Sequence, residues 1–166
     1  IAPNYEKIVN VGAQGIIEEV EALESETDDS EKLDFYKAVK ISMKGMAEFG
    51  DRYAAEASKM ASVETDPVRK QELLEIASIC ARVPRFGATS FYEAVQSMTL
   101  AHICIFMETF GETTCPGRID QFLNPFYEKD VAAGNISRER AKEILGAFCV
   151  KLCENIPMHG EVGNST

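Results

Sequence analysis

Ser90-Phe91-Tyr92-Glu93-Ala94-Val95-Gln96-Ser97-Met98-Thr99-Leu100-Ala101-His102-Ile103-Cys104-Ile105-Phe106-Met107-Glu108-Thr109-Phe110 is the stretch that decides the fold class. Ser90 and Glu93 have the spacing of a capping box, in which a hydroxyl and a carboxylate satisfy free backbone amides at a helix start. From Phe91 to Phe110 the segment is largely apolar on all sides. A helix without a polar face is one that its neighbours surround. The reading is a central, buried helix in a mainly α protein.

The pattern stays helical on either side. Upstream, Thr65-Asp66-Pro67 is a helix start, because Asp or Thr caps free amides and proline tolerates the first helical position. Leu73, Leu74, Ile76, Ala77 and Cys80 give that helix an apolar face, and Pro84 closes it. An earlier helix begins near Ser30, with Leu33, Val39, Met43, Met46 and Phe49 as a buried stripe, and continues toward Met60. The first helix carries Ile8, Val11, Ile16, Val20 and Leu23 at helical spacing, with Gly12 and Gly15 as weak points. Glu24 to Ser30 reads as an acidic loop. Downstream, Gly111 to Arg118 is a break, Ile119 to Val131 is helical, and Ala132-Ala133-Gly134-Asn135 is a turn. Ser137 caps a last helix that runs to about Asn155, followed by an irregular tail. About six helices result, with no period-2 strand. They suit either a self-contained bundle or one helical layer of a larger protein.

The bulk composition narrows the function classes. Lys plus Arg is 17 and Asp plus Glu is 27 in 166 residues, a net charge of −10. An acidic surface repels phosphate backbones and anionic lipid heads, so nucleic-acid and membrane-surface binding are not expected. The five cysteines are odd in number and sit in apolar or helical surroundings, as in a reducing, cytoplasmic protein rather than a disulfide framework. No apolar run reaches membrane-spanning length. The start has no signal-peptide pattern and no Met, and both ends read as cuts in something longer.

Generic catalytic constellations are incomplete. Cys149 and Cys153 share a helix face at i, i+4, but with His159 they still fall short of a tetrahedral ligand set. Two small buried side chains on a core face is the favoured reading, and no metal site is expected. His102 reads as a core histidine with a satisfied ring. Gly111 and Gly117 do not make a phosphate loop. The loop that follows the apolar helix differs: it sets Glu112, Arg118 and Asp120 beside residues expected to be deeply placed. Charges there are costly unless paired or used, and an Arg118–Asp120 pair clamping the next helix start is the simplest answer.

Cys115-Pro116-Gly117-Arg118-Ile119-Asp120-Gln121-Phe122, followed by Pro125-Phe126-Tyr127-Glu128-Lys129-Asp130, resembles the S-P-G-R-F-D-Q-Y…P-Y-Y-E-K-D segment of pyruvate formate-lyase-like glycyl radical enzymes, especially the glycerol dehydratase branch. Ala2-Pro3-Asn4-Tyr5-Glu6-Lys7-Ile8 with Gly15-Ile16-Ile17-Glu18-Glu19, the stretch from Thr65 through Ala77 to Arg82-Val83-Pro84, and Thr89-Ser90-Phe91-Tyr92-Glu93-Ala94-Val95-Gln96 resemble earlier family segments in the same order. The resemblance covers most of the chain and places it in the N-terminal half of such an enzyme, as one helical layer of its larger α/β barrel.

The resemblance implies a chemistry for the parent protein. A radical S-adenosylmethionine activating enzyme installs a radical on a backbone glycine. That radical generates a cysteine thiyl, which abstracts hydrogen from a small substrate. A C–O, C–N, C–S or C–C bond then breaks or forms. No other cofactor is implied for the lyase, and the parent is expected to be a homodimer. Glu112 and Thr113 stand where the diol-dehydratase branch has a His-Ser pair that contacts substrate hydroxyls. With Cys115, which matches the motif's serine, they are the expected substrate-binding residues, and Arg118 and Asp120 the residues that hold the loop. Glu112 in place of histidine makes a polar or amine-bearing substrate thinkable. The 166 residues contain neither the family's Gly-Cys-x-Glu context nor its Arg-Val-x-Gly-Tyr context. The whole chain, 1–166, is therefore read as a single segment without a catalytic residue of its own, inactive alone. The competing reading is a free-standing acidic helical module that binds a protein partner.

Overall fold

The computed structural model describes residues 3–108 and 114–154. Among them the chain forms six helices: α1 (Tyr5–Glu24), α2 (Ser30–Val63), α3 (Pro67–Cys80), α4 (Phe91–Glu108), α5 (Ile119–Ala132) and α6 (Arg138–Glu154). The irregular tail expected after Asn155 lies outside the described residues.

The starts follow local chemistry. Asn4 accepts from the Lys7 amide, Asp29 from Glu31 and Lys32, and Asp66 from Val68, with Pro67 in the first turn of α3. Each side-chain oxygen satisfies an amide that has no partner within its own helix. Ser137 does the same for Arg140 at α6. At α4 the capping box is half formed. Ser90 Oγ accepts from the Glu93 amide at 3.2 Å, but the Glu93 carboxylate turns to the Thr89 amide and hydroxyl and to Arg82 Nε.

α4 is central, as its all-round apolarity implies: it touches each of the other five helices. Phe91, Ala94, Val95, Met98 and Ala101 join Tyr5, Ile8, Val9 and Ala13 of α1, Ala47 of α2, Leu123 of α5, and Ala141, Ile144 and Phe148 of α6 in the main core. Each large apolar side chain buried there contributes about 1.5–3 kcal/mol. The enclosure is incomplete. Ile103 to Phe106 are only half buried and Met107 is 63 % exposed, so the last turns of α4 are covered on one side, with Ile105 still packed against the core.

α2 and α3 pack through small residues rather than the expected stripe. Beyond Ala47, which faces the main core, the buried positions of α2 are Gly50, Ala54, Ala57 and Ala61, and their small size lets the helices approach closely. Leu33, Val39, Met43, Met46 and Phe49 are only half buried, because nothing among the described residues covers the amino-terminal half of α2 completely.

α1 is broken at Gly12, which has φ +70° and ψ 175°. The break kinks the helix. Lys7 and Glu19 form an ion pair across it, whereas residues twelve apart on a straight helix lie about 18 Å apart. The segment after α3, which contains the cis Val83–Pro84 bond, supplies the missing partners. The carbonyls of Pro84 and Arg85 accept from the amides of Ala13 and Gln14, each at 2.9 Å, and the Ala88 amide donates to the Val9 carbonyl at 2.8 Å. The approach is too close for side chains. A Cβ on Gly12 would lie 2.4 Å from the Phe86 carbonyl carbon, and one on Gly87 would lie 2.1 Å from the Asn10 oxygen.

Candidate functional site

The candidate site is the connection from α4 to α5. Glu112 and Thr113 lie outside the described residues. Of the rest, Thr114 is half buried and Cys115 is exposed. Gly117 has φ +75°, which turns the chain into α5. Arg118 occupies the N-cap position without making a side-chain cap.

Arg118 and Asp120 pair through two hydrogen bonds, Nε to Oδ1 at 2.9 Å and Nη2 to Oδ2 at 2.7 Å. Their side chains are 70 % and 64 % exposed, so the expected deep placement does not hold among the described residues. The pair nonetheless presents the parallel, two-bond geometry that makes an arginine–carboxylate contact directional. The bond to Arg118 holds the Asp120 carboxyl below its ordinary range, and the bond to Asp120 raises the Arg118 guanidinium. Asp120 also sits in the first turn of α5, where a negative charge suits the helix dipole.

The second half of the motif region is a clamp. Asp130, buried near the end of α5, accepts from the Phe91 amide at 2.7 Å. Lys129 Nζ donates to the Thr89 carbonyl at 3.0 Å. The Tyr127 and Phe91 rings meet edge-on with centroids 5.7 Å apart. Three of the residues in Tyr127-Glu128-Lys129-Asp130 thus fasten α5 to the start of α4 and fix where the connecting segment returns.

On the other side of that segment is the amino end of α1. A cleft of about 240 Å³ lies between Asn4, Tyr5 and Glu6 on one wall and Pro116, Gly117 and Arg118 on the other. Tyr5, which no local pattern marks as special, is buried and its hydroxyl lies 2.8 Å from His102 Nδ1. The only sequence signal for this contact is one histidine in an otherwise apolar helix, which does reveal a satisfied core ring but not its partner.

Cys149 and Cys153 are both exposed on α6, not on a core face as expected. The buried face of α6 is Ala141, Ile144 and Phe148 instead. His159 lies outside the described residues. Among the described residues no three His, Cys, Asp or Glu side chains are placed to hold a metal ion, and no helix is long and apolar enough to cross a membrane.

Five helices packed around an apolar α4, with a C-P-G-R turn leading into a clamped α5, match a known architecture. The family model described as pyruvate formate lyase-like matches residues 1–164, and the chain belongs to that family. Over 163 residues it is 36% identical to isethionate sulfite-lyase of Nitratidesulfovibrio vulgaris and 37% identical to trans-4-hydroxy-L-proline dehydratase of Clostridioides difficile. Each match covers 94% of this chain and 20% of the relative. The glycerol-bound form of the B12-independent glycerol dehydratase from Clostridium butyricum superposes with a TM-score of 0.88 at 34% identity, covering 98% of this chain and 21% of that one. The chain spans about a fifth of the length of the relatives it matches.

Proposed function

We propose that the chain is the N-terminal-half helical segment, 1–166, of a cytoplasmic, homodimeric glycyl radical lyase or dehydratase that cleaves a C–O, C–N, C–S or C–C bond of a small polar substrate. The observation that carries this reading is the match of almost the whole chain to dehydratases and a sulfite-lyase. The parent's glycyl radical, installed by a radical S-adenosylmethionine activating enzyme, supplies the thiyl that abstracts hydrogen from the substrate.

This chain's own residues do not carry out that abstraction. Its helices form one helical layer of the larger α/β barrel, and the α4–α5 connection forms part of the substrate pocket wall. Glu112 accepts a hydrogen bond from a substrate hydroxyl or pairs with a cationic group, and Thr113 both donates and accepts through its hydroxyl. Cys115 lines the pocket, and the Arg118–Asp120 pair holds the turn in place. Half-buried apolar residues at the end of α4 support the segment reading over a free-standing module. With Ile41, Met43, Met46 and Phe49 they border an open groove of about 550 Å³, the kind of apolar surface that a further layer of protein covers.

The intact mass of the protein, isolated from its native source anaerobically with proteases inhibited, tests the reading. The expected mass is several times 18.3 kDa. A mass of 18.3 kDa would place the helical binding module first.

A further inference from the structure

The Tyr5–His102 contact has no part in the roles assigned so far. The two residues are 97 positions apart, one in the first turn of α1 and the other in the second half of α4. Tyr5 is 2% exposed and His102 5%. Burial pushes the Tyr5 phenol up to about 12, with the negative charge of a Cys115 thiolate adding to the rise, and burial lowers His102. Both are neutral at pH 7. Two neutral groups share this bond in either sense: Tyr5 O–H donates to Nδ1 when the ring proton is on Nε2, and Nδ1–H donates to the Tyr5 oxygen in the other tautomer.

Tyr5 faces two ways. Its hydroxyl binds α4, and it also borders the cleft whose far wall is Pro116, Gly117 and Arg118. Phenylalanine at position 5 with leucine at position 102 would fill the same apolar space without the cost of burying a hydroxyl and an imidazole. What a satisfied polar pair adds inside a core is one preferred geometry. Here that geometry sets the amino end of α1 against α4 beside the turn that carries Cys115.

We propose that Tyr5 and His102 are a positioning pair that sets where the Cys115–Arg118 turn lies and, through it, the shape of the substrate-facing wall; the second half rests on the role proposed above for Cys115. Neither residue touches substrate.

The test uses the full-length protein with Tyr5→Phe, His102→Leu and His102→Asn, the last keeping an amide that can donate or accept near the position of Nδ1. Iodoacetamide labelling at neutral pH, resolved by peptide mass, gives the alkylation rate of Cys115, with exposed Cys149 and Cys153 as internal controls and buried Cys80 reporting unfolding. Tyr5→Phe and His102→Leu should change the Cys115 rate by about two- to tenfold, the range that one lost hydrogen bond gives. His102→Asn should bring it back toward the wild-type rate. An unchanged Cys115 rate in Tyr5→Phe, with the controls also unchanged, overturns the pair. If His102→Leu labels Cys80, Tyr5→Phe and His102→Asn alone decide. Steady-state kinetics separate the two halves. A shifted Cys115 rate with a raised KM supports both. A shifted rate with wild-type KM and kcat upholds the positioning and overturns the substrate-facing role of Cys115.

Discussion

The Asp130 carboxylate accepts a hydrogen bond from the Phe91 amide at 2.7 Å across 39 residues of sequence. The contact places a buried acceptor from α5 at the positive amino end of α4, and Asn135 Nδ2 shares the carboxylate at 3.3 Å. Asp130→Ala would leave a buried amide without a partner and cost about 2–3 kcal/mol. Asp130→Asn retains an oxygen acceptor and should cost less. Urea unfolding followed by far-ultraviolet circular dichroism checks the order wild type, Asn, Ala; equal midpoints for all three would remove the clamp from the account.

Two glycines should respond to the same substitution with opposite sign. Gly12→Ala meets both a φ of +70° and the Phe86 backbone, and should destabilise by more than about 2 kcal/mol. Gly45 lies inside α2 with open space around its missing Cβ. Gly45→Ala should stabilise by about 0.5–1 kcal/mol, because alanine restricts the unfolded chain and suits a helix. Thermal midpoints of the two variants on either side of wild type are the expected result.

The neutral Tyr5 phenol gives a pH dependence on the alkaline side. Its folded pKa of about 12 lies above the ordinary 10.0, so between those values the unfolded chain holds fewer protons than the folded one and stability falls as pH rises. The contribution is complete below pH 10 and is lost through pH 12. Cys80 and Cys104, pushed up to about 11 by burial, lose stability in an overlapping window, so the comparison must be with Tyr5→Phe. The stability difference between wild type and Tyr5→Phe should be flat up to pH 10 and shrink above it. His102 has the opposite sign: burial lowers its pKa, so its share is present above the ordinary value of 6.5 and is lost as pH falls toward the folded one.

Function and stability should separate at the turn. Arg118 and Asp120 are mostly exposed, and exposed pairs contribute little to folding. Arg118→Ala should leave the unfolding midpoint of the full-length protein unchanged while lowering turnover, because it frees the turn beside Cys115. Glu112→Gln should likewise lower turnover, by removing the charge that pairs with a cationic group or strengthens acceptance from a substrate hydroxyl. Wild-type kcat and KM in both variants would contradict the site.

Helix starts were the most legible feature of the sequence. Thr65-Asp66-Pro67 and Ser137 announce their helices because capping is settled within four residues, and the apolar run of α4 marks the centre of the bundle without further information. Gly12 is visible as a weak point, but the kink in α1 depends on the carbonyls of Pro84 and Arg85, about seventy residues away, and no local pattern contains them. The same holds for Glu93, which leaves its capping box because Arg82 stands beside it. Cys149 and Cys153 share a face at i, i+4, but periodicity states only that they share it; whether that face is covered depends on what packs against α6. The small-residue seam of α2 was hidden for a related reason, since alanines read as neutral helix formers until α3 is laid against them. At the site, the C-P-G-R turn and the Arg118–Asp120 spacing could be read directly, whereas Tyr5 could not be joined to His102 from sequence.

The most direct test of the central claim is electron paramagnetic resonance of the full-length protein after anaerobic incubation with its radical S-adenosylmethionine activating enzyme and S-adenosylmethionine. The expected spectrum is a carbon-centred doublet, split by the remaining glycyl α-hydrogen, that disappears on exposure to oxygen. Full-length protein that shows no such signal with an active activating enzyme would contradict the assignment of this chain to a glycyl radical lyase.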